Sequence, residues 1–266
     1  MRTRKRKRQR RRKVYALDCG MASLIGTRPS QQDWLYSIVR GSKAMAIVCD
    51  GMGGLQGGAL ASQSAVECFV KDYHKCDRIP RPSAFMPVAA NNMDQAVHNL
   101  KDKNNEPLHA GTTVVAVIIE ENRLYWLGVG DSRVYLIRGN RMWALTRDHN
   151  YRMRLDEALS QGIITEEIYR REERKAEALI SFIGKGGLTL MDYNVEPFYL
   201  QNGDRILLCS DGLYRTLDNS EIMDICYSGL SSAQETAERL TETAVLSSLE
   251  RQDNTSAVII QYSEHR

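Results

Sequence analysis

Apolar residues recur along this chain in short runs rich in Val, Ile, Leu and Tyr, each closed by polar residues or glycine. That pattern predicts β-strands. The clearest cover residues 44–49 (AMAIVC), 112–119 (TTVVAVII), 123–129 (RLYWLGV), 133–137 (RVYLI), 205–209 (RILLC) and 256–261 (SAVIIQ). Other stretches carry helical spacing. Residues 58–73 place Ala61, Ala65, Cys68 and Phe69 on one side, and residues 232–249 do the same with Ala233, Ala237, Leu240, Ala244 and Leu249. Residues 87–100 predict a further helix. Strand and helix do not alternate as they do in a doubly wound sheet. The order predicts an α+β protein, mostly antiparallel, with packed sheets and helices outside. Residues 151–187 interrupt the strands with a charged, helix-like insert, which suggests a lid or flap.

Composition narrows this picture. A chain of 266 residues with 42% hydrophobic content is long enough for one large domain with a substantial core. No apolar run approaches the roughly 18–20 residues that span a bilayer. No apolar stretch follows the basic N-terminus as it would in a secretory signal. The expectation is a cytoplasmic protein without a membrane span. Six scattered cysteines without a CxxC pair indicate neither a zinc site nor a disulfide framework. The net charge of +3 conceals an asymmetry: residues 1–13 hold ten of the 36 Lys and Arg and no acid, leaving 26 basic against 33 acidic residues, or −7, elsewhere. Such a like-charge block is expected to be a disordered tail. It is a candidate for contacting nucleic acid, anionic lipid or the chain's own acidic body.

The chemical signal is a recurrence of aspartates beside strands. Asp50 follows AMAIVC, Asp131 follows RLYWLGVG, and Asp211 follows RILLCS. Asp253 precedes Asn254 and the last strand, and Asp33 precedes the apolar run WLYSIV. Each Asp-Gly alone reads as a turn. Aspartates at strand ends also converge in space, and several carboxylates in one cleft require a compensating cation. All-oxygen ligands favour Mg²⁺ or Mn²⁺. Two such ions about 3.5–4 Å apart activate water and clamp a phosphoryl group. The glycines after Asp50 leave room for a backbone carbonyl to approach a metal.

These residues carry a family resemblance. DGMGG at 50–54, GTT at 111–113, GDSR at 130–133, SDGL at 210–213 and DN at 253–254 stand in the order seen in type 2C (metal-dependent) serine/threonine protein phosphatases of bacterial type. GTRPSQQD at 26–33, LTRDHN at 145–150 and GKG at 184–186 also match. The resemblance implies two packed antiparallel β-sheets flanked by α-helices, an αββα sandwich spanning residues 14–266, with the flap at about 151–187. It implies two Mn²⁺ or Mg²⁺ ions, with room for a third. Asp50 would bridge them, Asp211 and Asp253 would complete one site, and the Gly51 carbonyl would serve the other. Asp131 with Asp211 resembles the pair that holds the third ion. Asp33 would orient metal-bound water, and Arg28 would grip substrate phosphate through a bidentate guanidinium. The implied reaction is direct attack by a water bridging the two cations on phosphoserine or phosphothreonine of proteins, a Ser/Thr kinase among them.

Two positions depart from the family pattern. Met52 stands where eukaryotic members often carry His, so it cannot protonate a leaving alcohol; His149 is another group to consider for that proton. Gln32 stands where Glu is usual, and a neutral amide removes one negative charge from the neighbourhood of the metals. The alternative functional reading is a phosphatase-like regulator or pseudophosphatase that binds one dedicated phosphoprotein partner.

Overall fold

The central strands are apolar on both faces because each is covered twice, by a second sheet on one side and by helices on the other. The computed structural model describes residues 14–75, 81–248 and 251–265. It opens with β1 (Val14–Leu24), β2 (Asp33–Arg40) and β3 (Lys43–Met52), followed by α1 (Gly54–Lys75) and α2 (Pro82–His98). A meander comes next: β4 (Gly111–Thr112), β5 (Val114–Glu120), β6 (Arg123–Val129), β7 (Arg133–Arg138) and β8 (Arg141–Ala144). Then come α3 (Tyr151–Ser160), α4 (Glu166–Glu172) and the short strands β9 (Asp192–Tyr193) and β10 (Phe198–Tyr199). The last elements are β11 (Arg205–Cys209), α5 (Asp211–Tyr214), α6 (Asn219–Cys226), α7 (Ala233–Ser247) and β12 (Thr255–His265).

One sheet has the order β1-β12-β11-β7-β8 and the other β10-β6-β5-β3-β2. Their paired neighbours run antiparallel. Alternation then sorts the side chains. Ala44, Ala46 and Val48 of β3 face inward and share a cluster with Val134, Leu208 and Ile260 of the opposite sheet. Met45, Ile47 and Cys49 point the other way, beneath Phe69 of α1 and Met93 of α2. Leu207, Cys209 and Ile259 lie beneath Ala237, Leu240 and Ala244 of α7. Burying each of the larger side chains contributes about 1.5–3 kcal/mol, so the three apolar layers fix the order helix, sheet, sheet, helix. This is the α+β sandwich expected from the sequence.

Several boundaries differ from the sequence pattern. Helix α2 begins at Pro82, not at residue 87, because Pro fits a first turn whose N–H groups have no helical acceptor. Pro87 lies inside the helix. Strand β1 is not a continuous apolar run, since its side chains alternate between exposed and half-buried positions. Within 151–187 only Leu155, Ala176, Ser181 and Ile183 are buried; a hydrogen bond from the Tyr169 hydroxyl to Asp156 links α4 to α3, and an Arg152–Glu177 ion pair ties α3 to the turn that follows. The basic tail lies outside the described residues, as do Cys76 and Leu249.

The sheet that contains β1 meets α7 at Gly20, where a Cβ would stand 2.2 Å from the Gln234 nitrogen and 2.3 Å from the Ala233 carbonyl carbon. Backbone on both sides leaves nothing flexible to move. Gly20→Ala is expected to destabilise the protein by about 1–3 kcal/mol, as overpacking does. Urea unfolding followed by circular dichroism reads this directly, and an unchanged midpoint would show that α7 shifts freely.

Candidate metal centre

Strand pairing and tight glycine contacts assemble the site. Asp33 opens β2 and Asp50 closes the regular part of β3, and the two are direct register partners. Asp131 follows β6, Asp211 is the first residue of α5, and Asp253 precedes β12. Asp50, Asp131, Asp211 and Asp253, with Arg28, Gly51 and Gln32, line one cleft of about 460 Å³. Asp33 is buried beneath it, only 2% exposed.

Glycines lock the motifs together. A Cβ on Gly51 would fall 2.0 Å from the Gly58 carbonyl oxygen and 2.7 Å from that of Gln32. Gly51 is therefore demanded by the backbone of α1 crossing behind it, whatever its carbonyl does in front. A Cβ on Gly212 would fall 2.2 Å from the Asn254 carbonyl oxygen, so SDGL and DN are also in backbone contact. Hydrogen bonds complete the frame. The Thr112 hydroxyl and the Thr113 N–H donate to the Asp50 carbonyl, each at 2.8 Å. The Thr113 hydroxyl accepts from the Asp50 N–H at 3.0 Å and lies 2.6 Å from the Ser132 hydroxyl. The GTT motif thus joins DGMGG to GDSR.

The arginine loop is held in the same way. The Asn254 side chain accepts from the Gln32 N–H at 2.7 Å and donates to the Ile25 and Ser30 carbonyls. Gln32 donates through its amide to the Gly54 carbonyl at 3.2 Å, and its own carbonyl accepts from Gly51 N–H and the Ser62 hydroxyl. It serves as a tie between the arginine loop and α1.

Electrostatics single out this cluster. Burial, and then the charges of Asp33, Asp211, Asp131 and Asp253, push the Asp50 carboxyl well above the usual range. Asp33 is raised to about 6 by burial, opposed by hydrogen bonds from Ser210 and Ser256 and assisted by repulsion from Asp211 and Asp253. Asp131 is raised to about 6 by burial and by Asp211. Burial raises Asp211 as well. The Ser210 hydroxyl donates to Asp33 Oδ2 at 2.7 Å, but Asp33 Oδ1 and Asp211 Oδ1 are buried without a hydrogen-bond partner. Buried, partnerless carboxylate oxygens under mutual repulsion are the donor set a hard divalent cation fits. Among the described residues no three acidic, His or Cys side chains stand together as a ready ligand cage. Arginines partner three of the carboxylates. Arg28 pairs with Asp253, and Arg215 pairs with Asp211 at 2.9 Å and Asp131 at 3.2 Å.

Some of these residues have roles that the sequence pattern does not assign. Arg215 also pairs with Glu177 of the 151–187 insert at 3.0 Å. Its i+4 spacing from Asp211 was the available clue. Ser210, Thr113 and Asn254 matter through hydrogen bonds that no pattern displays. His149 is fully buried and absent from the cleft lining. It accepts from the Gly130 N–H at 3.4 Å and lies 3.4 Å from Asp192, so it braces GDSR rather than facing a substrate.

Known proteins resemble this arrangement. The Protein phosphatase 2C family profile matches residues 19–252. Protein phosphatase PhpP of Streptococcus pneumoniae is 30% identical over 212 residues, 79% of this chain and 83% of that protein. The S. agalactiae serine/threonine phosphatase structure covers 92% of this chain and 99% of its own at 23% identity, with a TM-score of 0.78. The catalytic domain of the serine/threonine protein phosphatase PstP, in complex with 2 manganese ions, covers 94% of this chain and 100% of its own at 24% identity and a TM-score of 0.73.

Because Asp50 is a buried carboxylate among like charges, Asp50→Asn is expected to stabilise the cation-free protein by about 1–3 kcal/mol. Mn²⁺ is expected to raise the melting temperature of the wild type and not of this variant. Calorimetry with and without chelator checks both parts.

Proposed function

The chain belongs to the protein phosphatase 2C family and is a serine/threonine protein phosphatase of bacterial type, and we propose that it works with two divalent cations, Mn²⁺ or Mg²⁺, held at the aspartate cleft. The observation that carries the reading is the convergence of five aspartates from separate segments, with partnerless oxygens on Asp33 and Asp211. Asp50, Asp211, Asp253 and the Gly51 carbonyl would hold the two cations, and Asp131 with Asp211 would hold a third, weaker one. When bound, the cations would supply water activation and neutralise charge on the phosphoryl oxygens. The manganese ions of the PstP catalytic domain support this assignment.

Arg28 stands at the mouth of the cleft with its side chain 57% exposed. Its fork suits a phosphoryl group in bidentate fashion, exchanging Asp253 for substrate. Asp33, hydrogen-bonded by Ser210 beneath the cleft, would orient water there and accept its proton. Met52 lines the cleft and offers no proton, so the leaving alcohol takes its proton from water. The catalytic unit on this reading spans residues 14–266, with residues 151–187 as its flap. Leu179 of that segment lines the cleft, and Glu177 reaches it through Arg215. The substrates are phosphorylated proteins of the cytoplasm, a Ser/Thr kinase among them.

Turnover of p-nitrophenyl phosphate and of a phosphothreonine peptide is expected with Mn²⁺ or Mg²⁺ and not with chelator. Asp211→Ala is expected to lower it by at least about a hundredfold. A folded, cation-loaded wild type that hydrolyses neither substrate would leave a dedicated binding partner as the better account. Arg28→Ala is expected to lower kcat/KM for the peptide by about ten- to a hundredfold, the worth of a charge-assisted contact. Steady-state kinetics measures it.

A further inference from the structure

A second cavity, about 630 Å³, adjoins the aspartate cleft. Met52 and Gly53 line both, so the two share a wall. Its interior is apolar: Leu100, Leu108, Ala110 and Phe182 face it, with Lys101 and Lys185 among the other lining residues and no acidic residue in the lining. Two acids border the lining in sequence: Asp102 folds its carboxylate into its own loop, accepting from the Asn104 and Glu106 N–H groups at 2.8 and 2.9 Å, while Glu106, beside Pro107, is exposed.

The walls are built rather than loose. Asp94 of α2 is 1% exposed, and its Oδ1 accepts from the N–H groups of Gly184, Lys185 and Gly186 at 2.8, 2.8 and 3.3 Å. Gly184 and Gly186 have φ of 102° and 80°, which curls the GKG turn around that oxygen. The Thr112 and Ile183 backbones exchange hydrogen bonds of 3.0 and 2.9 Å, fixing Phe182 beside the metal loop. Gly53 leans on the opposite wall, where a Cβ would stand 2.8 Å from the Ala110 Cα. The GKG motif therefore shapes this cavity and leaves the aspartates alone.

A preformed apolar pocket with a few polar groups at its edge is a ligand site by construction. Its occupant follows from its continuity with the cleft and from its charge. A peptide with its phosphoryl group at the aspartates crosses Met52 and Gly53, and an extended chain advances about 3.3 Å per residue. We propose that this pocket receives a bulky apolar side chain of the phosphoprotein substrate within a few residues of the phosphorylated one, and that Lys101 and Lys185 select acidic residues beside it. The inference rests on the phosphatase reading and names its substrate class.

The test compares phosphothreonine peptides carrying Leu or Phe plus Glu near the phosphoresidue with the same peptides carrying Ala, and uses p-nitrophenyl phosphate as a substrate too small to reach the pocket. Wild type is expected to favour the apolar, acidic peptides by about tenfold in kcat/KM, the scale of one apolar pocket. Leu108→Arg is expected to erase the apolar preference through KM, and Lys185→Glu to erase the acidic preference. Both are expected to keep p-nitrophenyl phosphate turnover within about twofold. Normal p-nitrophenyl phosphate turnover with equal kcat/KM for all peptides, or a preference that survives in both variants, overturns the pocket proposal alone. Absence of p-nitrophenyl phosphate turnover in the wild type overturns the phosphatase reading, and the pocket proposal with it.

Discussion

Like charges do not gather in a protein interior unless the backbone leaves them no alternative. Asp33, Asp50 and Asp131 are driven upward in pKa by burial and by neighbouring carboxylates, and Asp211 by burial and by Asp253. Left to side-chain preference they would turn outward. The fold resists because the segments that carry them touch backbone to backbone, at Gly51 against Gln32 and at Gly212 against Asn254. A Cβ added at either glycine would meet backbone that no rotamer change can move.

The sandwich supplies the leverage. Three apolar layers hold β3, β11 and β12 in fixed register, so the ends of these strands carry Asp50, Asp211 and Asp253 to one edge of the two sheets. Thr113 then stitches Asp50 to Ser132 across the cleft floor. Cooperative networks of this kind are worth more as a set than as separate bonds. The chemistry is therefore mounted on the most buried part of the molecule, while the exposed insert at 151–187 reaches it only through a few side chains.

The strands and the carboxylates were legible in the sequence because both leave local marks: an apolar run and an Asp at its end. The order of the motifs made the family legible too. The helix starting at Pro82 and the half-buried strand β1 were not, because tertiary covering decided them. The glycine after Asp50 was legible as a requirement, and the structure adds a second cause, α1 behind it, which a reading of room for a carbonyl does not reveal. Arg215 was marked only by its spacing from Asp211, because Asp131 and Glu177 reach it from distant positions.

Arg28 and Arg215 give the aspartates guanidinium partners made by the same chain. On the two-cation reading, an incoming ion would have to displace guanidinium groups from Asp253, Asp211 and Asp131. Loading the cleft and releasing Arg28 toward a phosphoryl group would then be one exchange.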